Sequence, residues 1–177
     1  MATLAPFFMI ICWFNGPSQK HLAETLPRQN IEIGCNYIER IRPMDAVAAF
    51  DIDVVKRLEI TDNVKYYTRS DAYSRPPWRV IINHTVSGGN SGLLACWVAA
   101  NEYPAQPIYI IGCDWGITDA STFNHIYGHR SSRKYTIHSK KKMTFLFQKR
   151  EAYVVHNQQP DVPLPVISEQ QFLDKLQ

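Results

Sequence analysis

The chain has 177 residues, 45% of them hydrophobic, which is the size of one ordinary domain with enough apolar side chains to bury a core. A formal charge of +3 is too weak to require a polyanionic partner for the chain as a whole, so charge matters only where it is locally concentrated. Cys12, Cys35, Cys96 and Cys113 each stand in an apolar run, without CxxC spacing or a histidine at zinc-ligand distance, and read as buried reduced thiols rather than a zinc or disulfide framework.

The first apolar stretch, MATLAPFFMIICWF, is too short to span a bilayer and carries neither a basic leader nor a small-residue cleavage site, so a soluble cytoplasmic protein is expected. Within it, Pro6 to Phe14 is continuously apolar, as in a strand covered on both faces of a parallel sheet. A short helix from Leu22 to Leu26 follows, ended by Pro27. Ile31 to Ile38 predicts a second strand that turns polar at Asn36. Ala46 to Phe50 predicts a third, followed by Asp51-Ile52-Asp53 and a short helix over Val54 to Leu58. VKYYTRS and WRVIINHTV are rich in strand formers, and the RPP between them belongs in a loop.

After SGGNSG, the Ala- and Leu-rich LLACWVAANEY predicts a buried helix with Ser91 as its cap. PIYIIGCDWG is the most strand-like run of the chain. Residues from Ile117 to Lys142 are polar and weakly patterned, MTFLFQKRE predicts a helix, AYVVHN a last strand, and SEQQFLDKL a capped amphipathic helix. Alternating strands and helices predict a single doubly wound α/β domain over 1–177 with a mainly parallel sheet, in which ligands bind beyond the carboxyl ends of the strands. The loops to inspect are 15–18, 34–37, 51–53, 87–92 and 114–116.

In Asn15-Gly16-Pro17-Ser18, glycine allows close backbone approach, proline stiffens the turn and Ser18 is placed to cap the next helix. Amides at such a turn attract phosphate, although a plain strand-to-helix connection uses the same residues. Ser87 to Gly92 repeats this logic with three glycines and two serines. It is neither a Walker loop nor a dinucleotide fingerprint, which favours a nucleotide or nucleotide-sugar over a kinase or dehydrogenase, with a flexible turn as the alternative. Asp51 and Asp53 have the spacing of a carboxylate pair that holds a divalent cation against a diphosphate, but an aspartate after a strand also caps a helix, and the capping reading is preferred.

His138, in the polar stretch YTIHSKKKM, is placed to take a proton from a hydroxyl near neutral pH; five other histidines compete, and a solvated surface residue reads the same. Eight Lys and Arg residues lie between Arg130 and Arg150, interleaved with Tyr135, Phe145 and Phe147. This stretch, 130–150, is the one place for a weak polyanion contact, or it is a solvated helix face.

NGPS, CNYIERI, NSGLLACWVAANEYPAQPIYIIGCDWG and IHSKKK occur in the order and approximate spacing of small bacterial sialyltransferases, and the sequence resembles that family from about Phe8 to Val155. The 6-hydroxymethylpterin diphosphokinase-like family is similar in the same central stretch. The resemblance implies a Rossmann-like domain that takes a CMP-linked sugar as donor and a hydroxyl-bearing acceptor, and needs no metal or further cofactor. It implies that Asn15, Gly16, Asn36, Ser91 and Gly92 line the nucleotide, that Asp114 is the strand-end acid, and that His138 is the general base; Pro17, Ser18 and Asn90 join the expected site as members of the same 15–18 and 90–92 loops. The family's tyrosine two residues after that acid is Gly116 here, and a second falls near Phe123 with Tyr127 close by, so support for the leaving phosphate is expected from Arg130, Arg133 or the lysines. Two other readings remain: a metal-dependent diphosphokinase using Asp51, Asp53 and Asp114, and a non-catalytic module binding nucleic acid or protein. A homo-oligomer is left open.

Overall fold

A computed structural model describes residues 8–69, 76–81, 90–115, 117 and 137–177, with the backbone alone for Ile137 and His138. Eight strands form one sheet in the order β5-β4-β3-β2-β1-β6-β7-β8: β1 (Ile10–Trp13), β2 (Ile31–Cys35), β3 (Ala46–Ala49), β4 (Lys65–Arg69), β5 (Trp78–Ile81), β6 (Ile108–Ile111), β7 (Ala152–Val155) and β8 (Val166–Ile167). Every neighbouring pair is parallel. The central strands β1, β3 and β6 are buried at every position, which is why they read as unbroken apolar runs rather than alternating ones.

The chain lays down β1 to β5 outward in one direction, then returns to place β6 on the other side of β1. The order therefore reverses between β1 and β6, the place at which sheets of this kind bind ligands, at the carboxyl ends of the strands. Two cores flank the sheet. One, under helix α3 (Ser91–Glu102) and helix α4 (Ile137–Phe147), includes Cys12, Phe14, Ile33, Leu94, Ile110, Met143 and Val154. The other, under α1 (Lys20–Thr25), α2 (Ile52–Arg57) and α5 (Glu169–Asp174), includes Ile11, Trp13, Leu22, Val55, Tyr109 and Phe172. The doubly wound α/β architecture expected from the sequence is thus present. No helix among the described residues is long and apolar enough to cross a membrane.

Several predicted details shift. The cap of α3 is Asn90, not Ser91: Asn90 is extended and its side chain accepts from the Leu93 N–H at 2.9 Å. Ser91 is the first helical residue, and its Oγ accepts from the Phe50 N–H at 2.9 Å, fastening α3 to the end of β3. Helix α4 begins at Ile137, earlier than predicted. Its described inward residues Ser139, Met143 and Phe147 recur every four positions, a stripe too sparse among lysines to read as periodic. The last strand is β8 rather than β7, and two residues carry no period. Ser168 and Gln171 form a full capping box for α5, as the sequence implied.

A buried ion pair ties the second core together. Arg42 donates Nε and Nη2 to the two carboxylate oxygens of Glu32, both at 2.6 Å, while Trp13 Nε1 donates to Glu32 Oε2 at 2.8 Å. The Nη1 of Arg42 reaches the carbonyls of Ala23 and Leu26, each at 3.0 Å, and so satisfies the carboxyl end of α1. Burial pushes the Glu32 carboxyl above its usual range, against the opposing pull of Arg42.

Candidate functional site

The loops that follow β1 and β6 are zipped together at the crevice. Phe14 N–H donates to the Ile111 carbonyl at 2.7 Å, and Gly16 N–H to the Gly112 carbonyl at 2.9 Å. Gly112 has φ +78°, a left-handed conformation that favours glycine, and Phe14's carbonyl oxygen lies 2.8 Å from where its Cβ would be. At Gly16 a Cβ would lie 2.3 Å from the Gly112 oxygen and 2.5 Å from the Asp114 carboxyl carbon. Glycine here lets one strand end rest directly on the other.

Asp114, only 4% exposed, is the polar centre of this junction. Its Oδ2 accepts the Ser18 backbone N–H at 3.0 Å, and its Oδ1 accepts the Ser18 hydroxyl. From the other side, His156 at the end of β7 directs Nε2 toward Oδ1 at 3.4 Å. The Gln158 N–H donates to His156 Nδ1 at 2.9 Å. His156 is itself 8% exposed, and its Nε2 has no hydrogen-bond partner.

This arrangement corrects the expected role of the β1 turn. Ser18 does not cap a helix through its hydroxyl, which is bound to Asp114. Nor does the turn offer its amides to phosphate: Gly16's is used by Gly112, Pro17 has none, Ser18's is used by Asp114, and Gln19's points to the Gly16 carbonyl at 3.3 Å. The protein's own carboxylate occupies the place of the anion. Asn15, in the same turn, is half-buried, and its Oδ1 accepts from the Cys35 thiol at 2.9 Å.

Asn36, one residue past β2, adopts φ 55°, a left-handed conformation that asparagine tolerates. Its N–H donates to the Ala48 carbonyl at 3.0 Å, while its side-chain Oδ1 is buried with no partner. Such an orphan acceptor is uncommon and calls for a ligand or water. Helix α3 starts at the same end of the sheet, because it runs back from β5 to β6. Around its start, Arg69 lies over the Phe50 ring at 4.5 Å, and Phe50 bonds Ser91. Gly92 is filled from within: a Cβ there would meet the Phe14 ring at 2.7 Å, so its glycine serves packing rather than close ligand approach.

Asn15, Gly16, Pro17, Ser18, Asn36, Asn90, Ser91, Gly92 and Asp114 therefore all stand at the carboxyl ends of the strands or at the start of α3. His138 is the second residue of α4, and the first turn of α4 faces the same end by topology; its side chain lies outside the described residues. So do Ser87 to Gly89, Gly116, Phe123, Tyr127, Arg130 and Arg133. Asp51 and Asp53 lie not on a strand but at the start of α2, both exposed; Asp51 holds the cap position without a side-chain capping bond. No group of three metal-ligating side chains occurs among the described residues. In the described part of 130–150, Lys140 pairs with Asp161 and Arg150 bonds the Pro104 carbonyl, while burial lowers the Lys142 ammonium.

Sequence reasoning missed His156 and Gln19. The signal for His156 was available: a polar histidine directly after the apolar AYVV places it at a strand's carboxyl end. Gln19 is fully buried with both amide atoms unpartnered, and nothing local marks it. The four thiols share the α3 face: Cys12 on β1, Cys35 ending β2, Cys113 after β6 and Cys96 on α3, all at most 1% exposed and none in a disulfide. Burial pushes the Cys35, Cys96 and Cys113 thiols well above their usual range, which makes them inert in the folded state.

Compared with known proteins, the chain matches no family model, no curated protein and no solved structure.

Proposed function

We propose that the protein is a glycosyltransferase that takes a nucleotide-sugar, CMP-linked as in the sialyltransferases its motifs resemble, and transfers the sugar to an acceptor hydroxyl. The observation that carries the reading is Asn36: a buried, unpartnered carbonyl oxygen beside the crevice where the strand order reverses, in a residue the motif assigns to the nucleotide. The donor lies across the ends of β1 and β2, with Asn15 and Asn36 toward the nucleoside. Its phosphate lies at the start of α3, since the β1 turn is closed by Asp114. His138 takes the proton of the acceptor hydroxyl, whose oxygen attacks the anomeric carbon as the nucleotide leaves with the bonding pair. The basic residues at the start of α4 offset the charge on the departing phosphate.

Thermal shift with a panel of nucleotides tests the reading. CMP at about a hundredfold its dissociation constant is expected to stabilise the fold by roughly 2–3 kcal/mol without added metal. Asn36→Gly, which keeps the left-handed backbone and removes the carboxamide, is expected to lose most of that gain. His138→Ala is expected to keep the gain and lower turnover by about 10²–10⁴. A response that requires Mg²⁺ favours the diphosphokinase reading. Salt-sensitive nucleic-acid binding with no nucleotide response favours the binding module.

A further inference from the structure

The polar junction contains one group with no part in the chemistry above. His156 comes from β7, two strands from the β1 turn, yet it is buried against the same carboxylate that holds that turn. Its proton can be placed by its partners. The Gln158 N–H donates to Nδ1, so Nδ1 must offer a lone pair, and the neutral ring carries its proton on Nε2. Nε2 lies 3.4 Å from Asp114 Oδ1 without forming a hydrogen bond, and it has no hydrogen-bond partner elsewhere. Asp114 is held by Ser18 on its β1 side and, among the described residues, faces His156 on its β7 side.

We propose that His156 is a positioning residue: its Nε2–H fixes the Asp114 carboxylate, which clamps the Ser18 turn and so sets the wall of the crevice on which Asn15 stands. The link to a ligand rests on the nucleotide reading above; the link between His156, Asp114 and Ser18 does not. In this arrangement Ser18 engages both Asp114 oxygens, and the His156 ring closes the β7 side of the carboxylate. The aspartate at the end of β6 acts through the turn, and β7 is coupled to β1 across it. The requirement on residue 156 is a donor at the position of Nε2. A side chain of similar bulk without a donor leaves the buried carboxylate held from one side only.

The test uses the full chain and two variants, His156→Leu and His156→Gln, the second keeping a side-chain N–H. Nitrogen-15 NMR of the wild-type imidazole is expected to find the proton on Nε2 and Nδ1 bare; a proton on Nδ1 overturns the proposal. The CMP dissociation constant is expected to rise about tenfold in His156→Leu and to recover in His156→Gln. Unchanged affinity in His156→Leu, or equal losses in both variants, overturns it. If wild type binds no CMP, the nucleotide reading fails and the Ser18 amide resonance becomes the readout. That resonance must then move in His156→Leu and return in His156→Gln, and an unmoved resonance overturns the positioning role. Should His156→Leu fail to fold, the wild-type imidazole spectrum and His156→Gln decide in the same way.

Discussion

At Gly16, a missing side chain decides the shape of the crevice. A Cβ there would press on the Gly112 carbonyl oxygen, a backbone atom that cannot swing away, and on the Asp114 carboxyl. Gly16→Ala is therefore expected to cost about 1–3 kcal/mol in urea unfolding and to weaken any nucleotide response, because the turn and Asp114 must separate. The glycine and its turn were legible in NGPS. Their use was not: the group that takes up the Ser18 amide is Asp114, 96 residues away, and no local pattern reports so distant a partner. The same holds for Gly92, where the space belongs to the Phe14 ring. Gly92→Val is expected to destabilise the fold with or without ligand, so it cannot serve as a binding-site probe.

Elements are joined to the sheet by two charged ties of different character. Arg42 and Glu32 are buried, and Arg42 also serves the last carbonyls of α1. Arg42→Ala is expected to cost about 3–5 kcal/mol by leaving a buried carboxylate unpaired, whereas replacing both by apolar residues of similar volume is expected to be nearly neutral. At the far end of α3, Glu102 accepts from the Tyr67 hydroxyl and pairs with Lys65 of β4 at 3.1 Å. Partial desolvation raises its carboxyl, but these donors outweigh it and hold the group below the usual carboxylate range. A carboxyl lowered on folding contributes stability above its unfolded value, and that contribution is lost as pH falls through the folded value. Chemical denaturation across acidic pH is thus expected to show a shallower loss in Glu102→Gln than in wild type. The strands and α3 were legible because their apolar runs are long for their type. The start of α4 and the whole of β8 were not, since each owes its place to neighbours rather than to a period of its own.

The whole molecule is organised by the reversal of strand order between β1 and β6. The strand-and-helix alternation of the sequence was enough to predict a doubly wound sheet and to direct attention to its carboxyl ends. It could not say where the order reverses, because that depends on which strand β6 joins after the connection over 82–107. The candidate residues of the motif meet at that end, while the histidine proposed as base is fixed only to the first turn of α4. One further property follows from the four cysteines lying wholly in the interior of the α3 side. A thiol reagent added to the native protein has nothing to react with until the chain opens, so its colour develops at the pace of opening. Where reclosing outruns the reaction, the signal counts the fraction of molecules open at any instant. A ligand that binds only the closed form slows it in proportion to one plus the ratio of its free concentration to its dissociation constant. At about a hundredfold excess over its dissociation constant, CMP is expected to slow labelling by about a hundredfold, and a nucleotide that leaves the rate unchanged is not a ligand. The protein thus carries its own clock, read without knowing the acceptor, the sugar or the reaction.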